Sequence, residues 1–194
     1  MNQQSMVAVD AVAARPAMWV RRLTAALAFA ALTAAAARMS VPIPGTPVPF
    51  TLQPVAVLLS GLLLGGFLGA TSQLTYLGLG AVGLPVFAAG GGLAYFAGPT
   101  AGYLLAFPLA AGIAGFVASE EPGLLRVSLA GLAGLFVIHV GGAAWLSVQP
   151  WLQGGSLAAF ELSLIPFLVG DLLKIALVAV VALGLGSRVR RLLG

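Results

Sequence analysis

Hydrophobic residues in this chain run in long blocks, without the alternation of a half-buried strand. One block extends from about Val20 to Ala37, another from Phe50 to about Ala89, and others cover about Pro99 to Ala118, Leu124 to Val148 and 162 to 186. Crossing a bilayer core of ~30 Å takes ~20 apolar residues in a helix. The block from Phe50 is too long for one crossing and breaks at Gly65-Gly66, giving spans of about 50–64 and 66–80. The pattern predicts an all-α integral membrane protein with six transmembrane helices. The second span is short, which leaves counts of five and seven open. Residues 1–18 are weakly patterned and read as a flexible N-terminal tail, and 19–194 as one transmembrane domain. Between the blocks lie irregular stretches: Val41-Pro-Ile-Pro-Gly-Thr-Pro-Val-Pro49, where prolines that fix φ and lack an N–H exclude helix; Gly90-Gly91-Gly92 after Pro85; and Gln149 to Ser156.

Composition and charge sharpen this picture. The chain is 60% hydrophobic and 7% charged, against roughly 45–50% and ~25% in soluble domains. Arg15, Arg21, Arg22, Arg126, Arg188, Arg190 and Arg191 gather on one side of a six-span arrangement, with only Arg38 on the other. By the positive-inside rule both termini are cytoplasmic, in a multi-pass protein of the cytoplasmic (inner) cell membrane. The basic residues sit at segment ends, as topology signals do, so a nucleic-acid partner is not expected. The first span also has the look of a secretory signal peptide, with basic residues before an apolar run and Ala35-x-Ala37 after it. A span retained as an anchor is the simpler view, because everything downstream is membrane-embedded. Cysteine is absent and His139 is the single histidine, so neither a thiolate nor a His-based metal site is expected. No phosphate-binding Gly-rich loop occurs, and the length leaves no room for a nucleotide-binding domain.

Candidate chemistry centres on Asp171 and Lys174, the only charges between Leu162 and Gly186. A charge at a helix centre costs at least ~2.5–3.5 kcal/mol on insertion scales, and residues three apart share a helical face. The pair fits a structural ion pair, a proton relay or a ligand site. It is expected one to two turns beneath the outer end of the last span, with no further titratable group beside it. The segment Gly90 to Tyr103 combines exposed backbone with Tyr95, Phe96 and Tyr103, and Thr100 stands where a helix begins. It reads equally as a cavity wall that takes an acceptor at the helix start or as a capping turn with interfacial aromatic anchors. Gln53 is placed to reach a cavity. His139 is expected to make a single interhelical hydrogen bond, and Glu161 to favour the start of the sixth span. Ala26, Ala30 and Ala34 repeat every four residues and would let a helix of this bundle or of a partner come close.

Four motifs carry a resemblance over about residues 20–190: Val41 to Gln53; Gly83-Leu-Pro-Val-Phe87; Gly98-Pro-Thr-Ala-Gly-Tyr103 with Phe107; and Gly170-Asp-Leu-Leu-Lys174. Together they resemble the BioY family, biotin-binding S components of energy-coupling factor (ECF) transporters. The resemblance implies a six-helix ECF S-component bundle and an outward-facing pocket under the first outer loop. Its partners would be a transmembrane coupling subunit and cytoplasmic ATPase subunits, and the chain itself would be no enzyme. It implies biotin as ligand and no cofactor. Asp171, Lys174, Gly98, Pro99, Thr100, Tyr103, Tyr95, Gln53 and Phe50 would form the site, and Ala26, Ala30 and Ala34 would meet the coupling subunit. Asp171 would accept a ureido N–H, Lys174 would donate to the ureido oxygen or carboxylate, and aromatic faces would cover the apolar ring. Alternatives are a solitary or proton-coupled carrier, an S component for another vitamin, and an intramembrane enzyme. For the last, Ser147, Ser163 and His139 lack a nucleophile–base spacing.

Overall fold

The computed structural model describes residues 3–118 and 122–193, with side chains from Met18 onward. Its helices are α1 (Gln3–Arg38), α2 (Gln53–Leu64), α3 (Gly66–Ala81), α4 (Ala101–Val117), α5 (Leu124–Ser147), α6 (Gly155–Leu164) and α7 (Leu168–Leu193). A 3-10 turn at Ile165–Phe167 joins the last two, so that Gly155–Leu193 is one apolar run. Among the described residues this makes six helical passes, as the hydropathy blocks predict. Met18–Arg38, Leu124–Ser147 and Gly155–Leu193 are each long and apolar enough to cross a membrane.

Two boundaries differ from the sequence reading. Helix α1 is continuous from Gln3, where a tail up to residue 18 was expected. The last helical run begins at Gly155 and not near Leu162, so Glu161 lies inside α6, exposed, and not at a helix start. The pair Asp171/Lys174 is therefore deeper in its helical run than one to two turns. A local restart still places it high in α7: Pro166 sits in the 3-10 turn, and Asp171 in the first turn of α7. Residues 119–121 lie outside the described residues.

Helix α2 is the axis of the bundle. At 1.5 Å per residue its 12 residues rise only ~18 Å, too little for an independent span, and Val55 through Leu63 are all buried. Around it α1, α3, α4, α5 and α7 close a ring in that order, each also touching α2. Gly65, at φ +84, turns the chain from α2 straight into α3. The contacts are backbone-close: a Cβ on Gly61 would sit 2.0 Å from the Ala111 carbonyl oxygen, and one on Gly69 2.6 Å from Gly61 Cα. Such approach is how helices associate where lipid gives no hydrophobic drive between them. The ring's outer surface is apolar, with Phe67, Phe136, Leu172, Leu173 and Val180 exposed.

Among the described residues, buried polar side chains inside the bundle are paired with one exception, taken up below, as a water-free interior requires. Fully buried Gln73 on α3 donates through Nε2 to Ser60 Oγ of α2 (3.2 Å) and Ser72 Oγ (3.1 Å), and accepts at Oε1 from Thr33 Oγ1 of α1 (3.2 Å). This lock between three helices was not read from the sequence.

Both proline- and glycine-rich segments are loops, as expected. The first is clipped by β1 (Ser40–Val41) and β2 (Phe50–Thr51), antiparallel with Ser40 opposite Thr51. Thr46 Oγ1 donates to the Leu162 carbonyl of α6 (3.4 Å). The second folds around fully buried Phe87, whose ring meets Tyr76 edge-on at 5.4 Å and Phe96 at 5.5 Å. The Arg38 guanidinium, at the end of α1, donates to the Pro85 carbonyl in the same loop.

Because the Ala111 backbone cannot yield, Gly61→Val should lower the melting temperature in detergent, by the ~1–3 kcal/mol typical of overpacking. Gly78→Ala, with nothing within 4 Å of its new methyl, should leave melting unchanged or raise it. Equal melting of the two variants would contradict the close α2–α4 contact.

Candidate functional site

A cavity of about 50 Å³ lies where the two loops meet the ends of α2, α4 and α7. It is roomy enough for a few water molecules. Loop residues Val48 and Pro49 and the Tyr95 ring cover it. Gln53, Thr100, Tyr103, His139, Asp171 and Lys174 supply its polar lining, and Leu104, Phe107, Ile138 and Phe167 its apolar floor. Its polar groups thus come from α2, α4, α5, α7 and the 3-10 turn at Leu93–Ala97.

Asp171 is the hub. Lys174 Nζ donates to its Oδ1 at 2.9 Å, one turn along the same helix. His139 Nε2 lies 2.6 Å from its Oδ2, and His139 Nδ1 2.5 Å from the Ser163 carbonyl of α6. Asp171 and Lys174 are 8% and 4% exposed, while Leu172 and Leu173 between them face outward. The i,i+3 spacing therefore turns both charges inward. On its other side the Lys174 ammonium rests over the Phe50 ring, 4.0 Å from its centroid, a cation–π contact. Gly170 makes this possible, because a Cβ there would lie 2.2 Å from the Phe50 ring.

Around this cluster the remaining groups are fixed from behind. Gln53 Nε2 donates to Tyr76 Oη (2.7 Å), which donates to the Val86 carbonyl (3.2 Å), and Thr51 Oγ1 donates to Gln53 Oε1 (3.2 Å). Tyr103 enters from the first turn of α4. Its ring lies against Gly142 of α5, where a Cβ would come within 2.2 Å, and stands edge-on to His139 at 6.3 Å. Tyr103 Oη is the exception among the described residues: buried and without a hydrogen-bond partner. Buried polar groups are nearly always satisfied, and an exception calls for an explanation.

Six of the nine residues expected to bind a ligand line this cavity: Asp171, Lys174, Thr100, Tyr103, Tyr95 and Gln53. Phe50 stands behind Lys174. Gly98 and Pro99 shape the turn: the Gly98 carbonyl accepts from Trp145 Nε1 (2.8 Å) and from the Ala101 N–H (3.2 Å). Thr100 precedes α4 without capping it through its side chain, and Tyr103 is buried in place of anchoring at an interface. The expectation that no titratable group stands beside the pair is overturned by His139. It comes from another helix, 32 residues before Asp171, and the only signal for it was a lone histidine in an apolar span. Ala26 and Ala30, expected to offer a docking surface, are 2% and 1% exposed. With half-buried Ala34 packed against the core, they face the bundle, because α1 uses its small residues to approach α2 and α3.

Comparisons with known proteins converge. The family model described as the BioY family matches residues 3–191. The probable biotin transporter BioY of Pyrococcus horikoshii is 43% identical over 158 residues, 79% of this chain and 89% of that protein. The biotin transporter BioY of Thermotoga maritima is 38% identical over 167 residues, 86% of this chain and 96% of that one. The crystal structure of the S-component for biotin from an ECF-type ABC transporter is similar with a TM-score of 0.78 at 28% identity, covering 86% of this chain and 90% of that one.

An unpaired buried hydroxyl carries a desolvation penalty of ~1–3 kcal/mol. Tyr103→Phe, which removes only that oxygen, should keep or raise the melting temperature of the protein without ligand. A clear fall in melting temperature would mean that the hydroxyl has a stabilising partner.

Proposed function

The chain belongs to the BioY family, and from that membership and the cavity just described we propose that it captures biotin for uptake across a cell membrane. It is a membrane transport protein and not an enzyme. The observation that carries the ligand assignment is the Asp171–Lys174 pair, buried at a small cavity with aromatic walls. Biotin carries ureido N–H donors and a carbonyl, an apolar bicycle and a carboxylate. In this reading Asp171 accepts a ureido N–H and Lys174 donates to a ligand oxygen. Tyr103 Oη gains the partner it lacks within the protein, and Tyr95 and Phe107 flank the apolar ring. Biotin is larger than a cavity of about 50 Å³, so binding pushes Val48 and Pro49 outward and the proline-rich loop closes over the ligand.

The wider assembly belongs to the same proposal. No ATP-binding motif occurs in the sequence, so in this reading ATPase subunits, linked through a transmembrane coupling subunit, supply the energy for accumulation against a gradient. The protein would lie in the cytoplasmic membrane with both termini inside and the cavity opening outward. Since Ala26 and Ala30 face the core, in this reading the coupling subunit meets the outer side of α1, where Thr24, Ala28, Ala31 and Ala35 are exposed. A solitary proton-coupled carrier is less well supported. His139 adds one proton site, but the buried face of α7 beyond Lys174 continues as Ile175, Val178, Ala179 and Ala182, with nothing to pass a proton onward.

Breaking a buried charge pair by removing one partner costs ~3–5 kcal/mol. Asp171→Asn and Lys174→Met should therefore cut biotin affinity by at least a hundredfold in isothermal titration, and their melting temperatures should fall less than this loss implies. Near-normal affinity in well-folded variants would remove the pair from the site. Ala31→Trp should abolish co-purification with the coupling subunit while leaving biotin affinity intact. Retained assembly would place the docking surface elsewhere.

A further inference from the structure

His139 is the titratable group at the cavity that the biotin reading leaves without a task. Both its ring nitrogens face oxygen. Nδ1 lies 2.5 Å from the Ser163 carbonyl, which can only accept, so Nδ1 carries a hydrogen whatever the state of the ring. That carbonyl belongs to the last turn of α6, and Pro166, three residues on, has no N–H to offer it. Nε2 lies 2.6 Å from Asp171 Oδ2. Without a proton between them, two lone pairs would face each other at that distance.

We propose that His139 is a positioning residue that holds one shared proton against Asp171 Oδ2, and that this proton fixes the carboxylate in the orientation that receives the ligand. With Lys174 on Oδ1, the cluster carries one net positive charge, whether the shared proton sits on nitrogen or oxygen. Asp171 and Lys174 of α7 are the charged groups facing His139. Tyr103 of α4, the Ser163 carbonyl of α6 and Phe167 of the 3-10 turn complete its surroundings. Without the donor at Nε2, Oδ2 loses its partner in a buried site, the carboxylate loses that orientation, and the ligand binds more weakly.

The assay rests on the biotin reading, but the proton can be read without ligand. His139 is the single histidine, so a tag-free chain labelled with ¹⁵N-histidine gives the two nitrogen signals of one ring. Nδ1 should be in the N–H form, with Nε2 showing the proton that it shares with Asp171. A neutral ring protonated at Nε2 would overturn the proposal. In parallel, biotin affinity is measured for the wild type, His139→Gln and His139→Ala. His139→Ala should bind at least tenfold more weakly, and His139→Gln, which keeps an N–H donor for Asp171, should recover most of that loss. Equal affinity in all three, or no recovery by His139→Gln, would reject the positioning role while leaving biotin as ligand. If the wild type binds no biotin, the ligand reading fails, and the nitrogen signals alone decide on His139.

Discussion

The structure depends on keeping one carboxylate charged inside a membrane-embedded bundle. Asp171 receives Lys174 on one oxygen and His139 on the other, and each of these is held in turn, Lys174 by the Phe50 face and His139 by the Ser163 carbonyl. Three chain segments remote in sequence therefore converge on one residue. An isolated ion in hydrocarbon would be prohibitively costly, whereas a cluster with its donors in place is tolerable. Such a cluster is also a ready-made recogniser of a small polar ligand.

What surrounds the cluster serves to shelter it. Helix α2, too short to cross a bilayer alone, is stabilised by being enclosed on every side, and its N-terminus brings Gln53 to the cavity. Glycine contacts among α2, α3 and α4 and the Thr33–Gln73–Ser60 lock fix the helices to one another at a distance from the site. The loops that cover the cavity are tied more lightly, by a two-residue strand pair and single hydrogen bonds such as Thr46 to Leu162. Rigidity below and light tethering above are what a pocket that must admit and then enclose a ligand requires.

Much of this was legible in the sequence because lipid imposes a simple code. Long apolar blocks and the Gly65-Gly66 break made the boundaries of α2 through α5 closely readable, and the cost of intramembrane charge singled out Asp171 and Lys174. Helix starts were less legible: Gly154 and Gly155 read as loop, although Gly155 begins α6. Which way a helix faces was illegible where composition is uniform, as in α1, whose alanines occur on every side. So Ala26 and Ala30 could be spaced correctly and yet point inward. His139 was hidden for another reason. Its meaning lies in a contact between helices, and one histidine in an apolar span carries no spacing that names its partner.

A crystal structure of the protein grown with biotin decides whether biotin occupies the cavity built on Asp171, Lys174 and Tyr103. It should show the bicyclic ring between the aromatic walls, a polar ligand atom within hydrogen-bond distance of both Asp171 and Lys174, and Val48 and Pro49 displaced to make room. Biotin bound elsewhere on the protein, with these side chains still closed on one another and Tyr103 Oη still unpartnered, would contradict that placement.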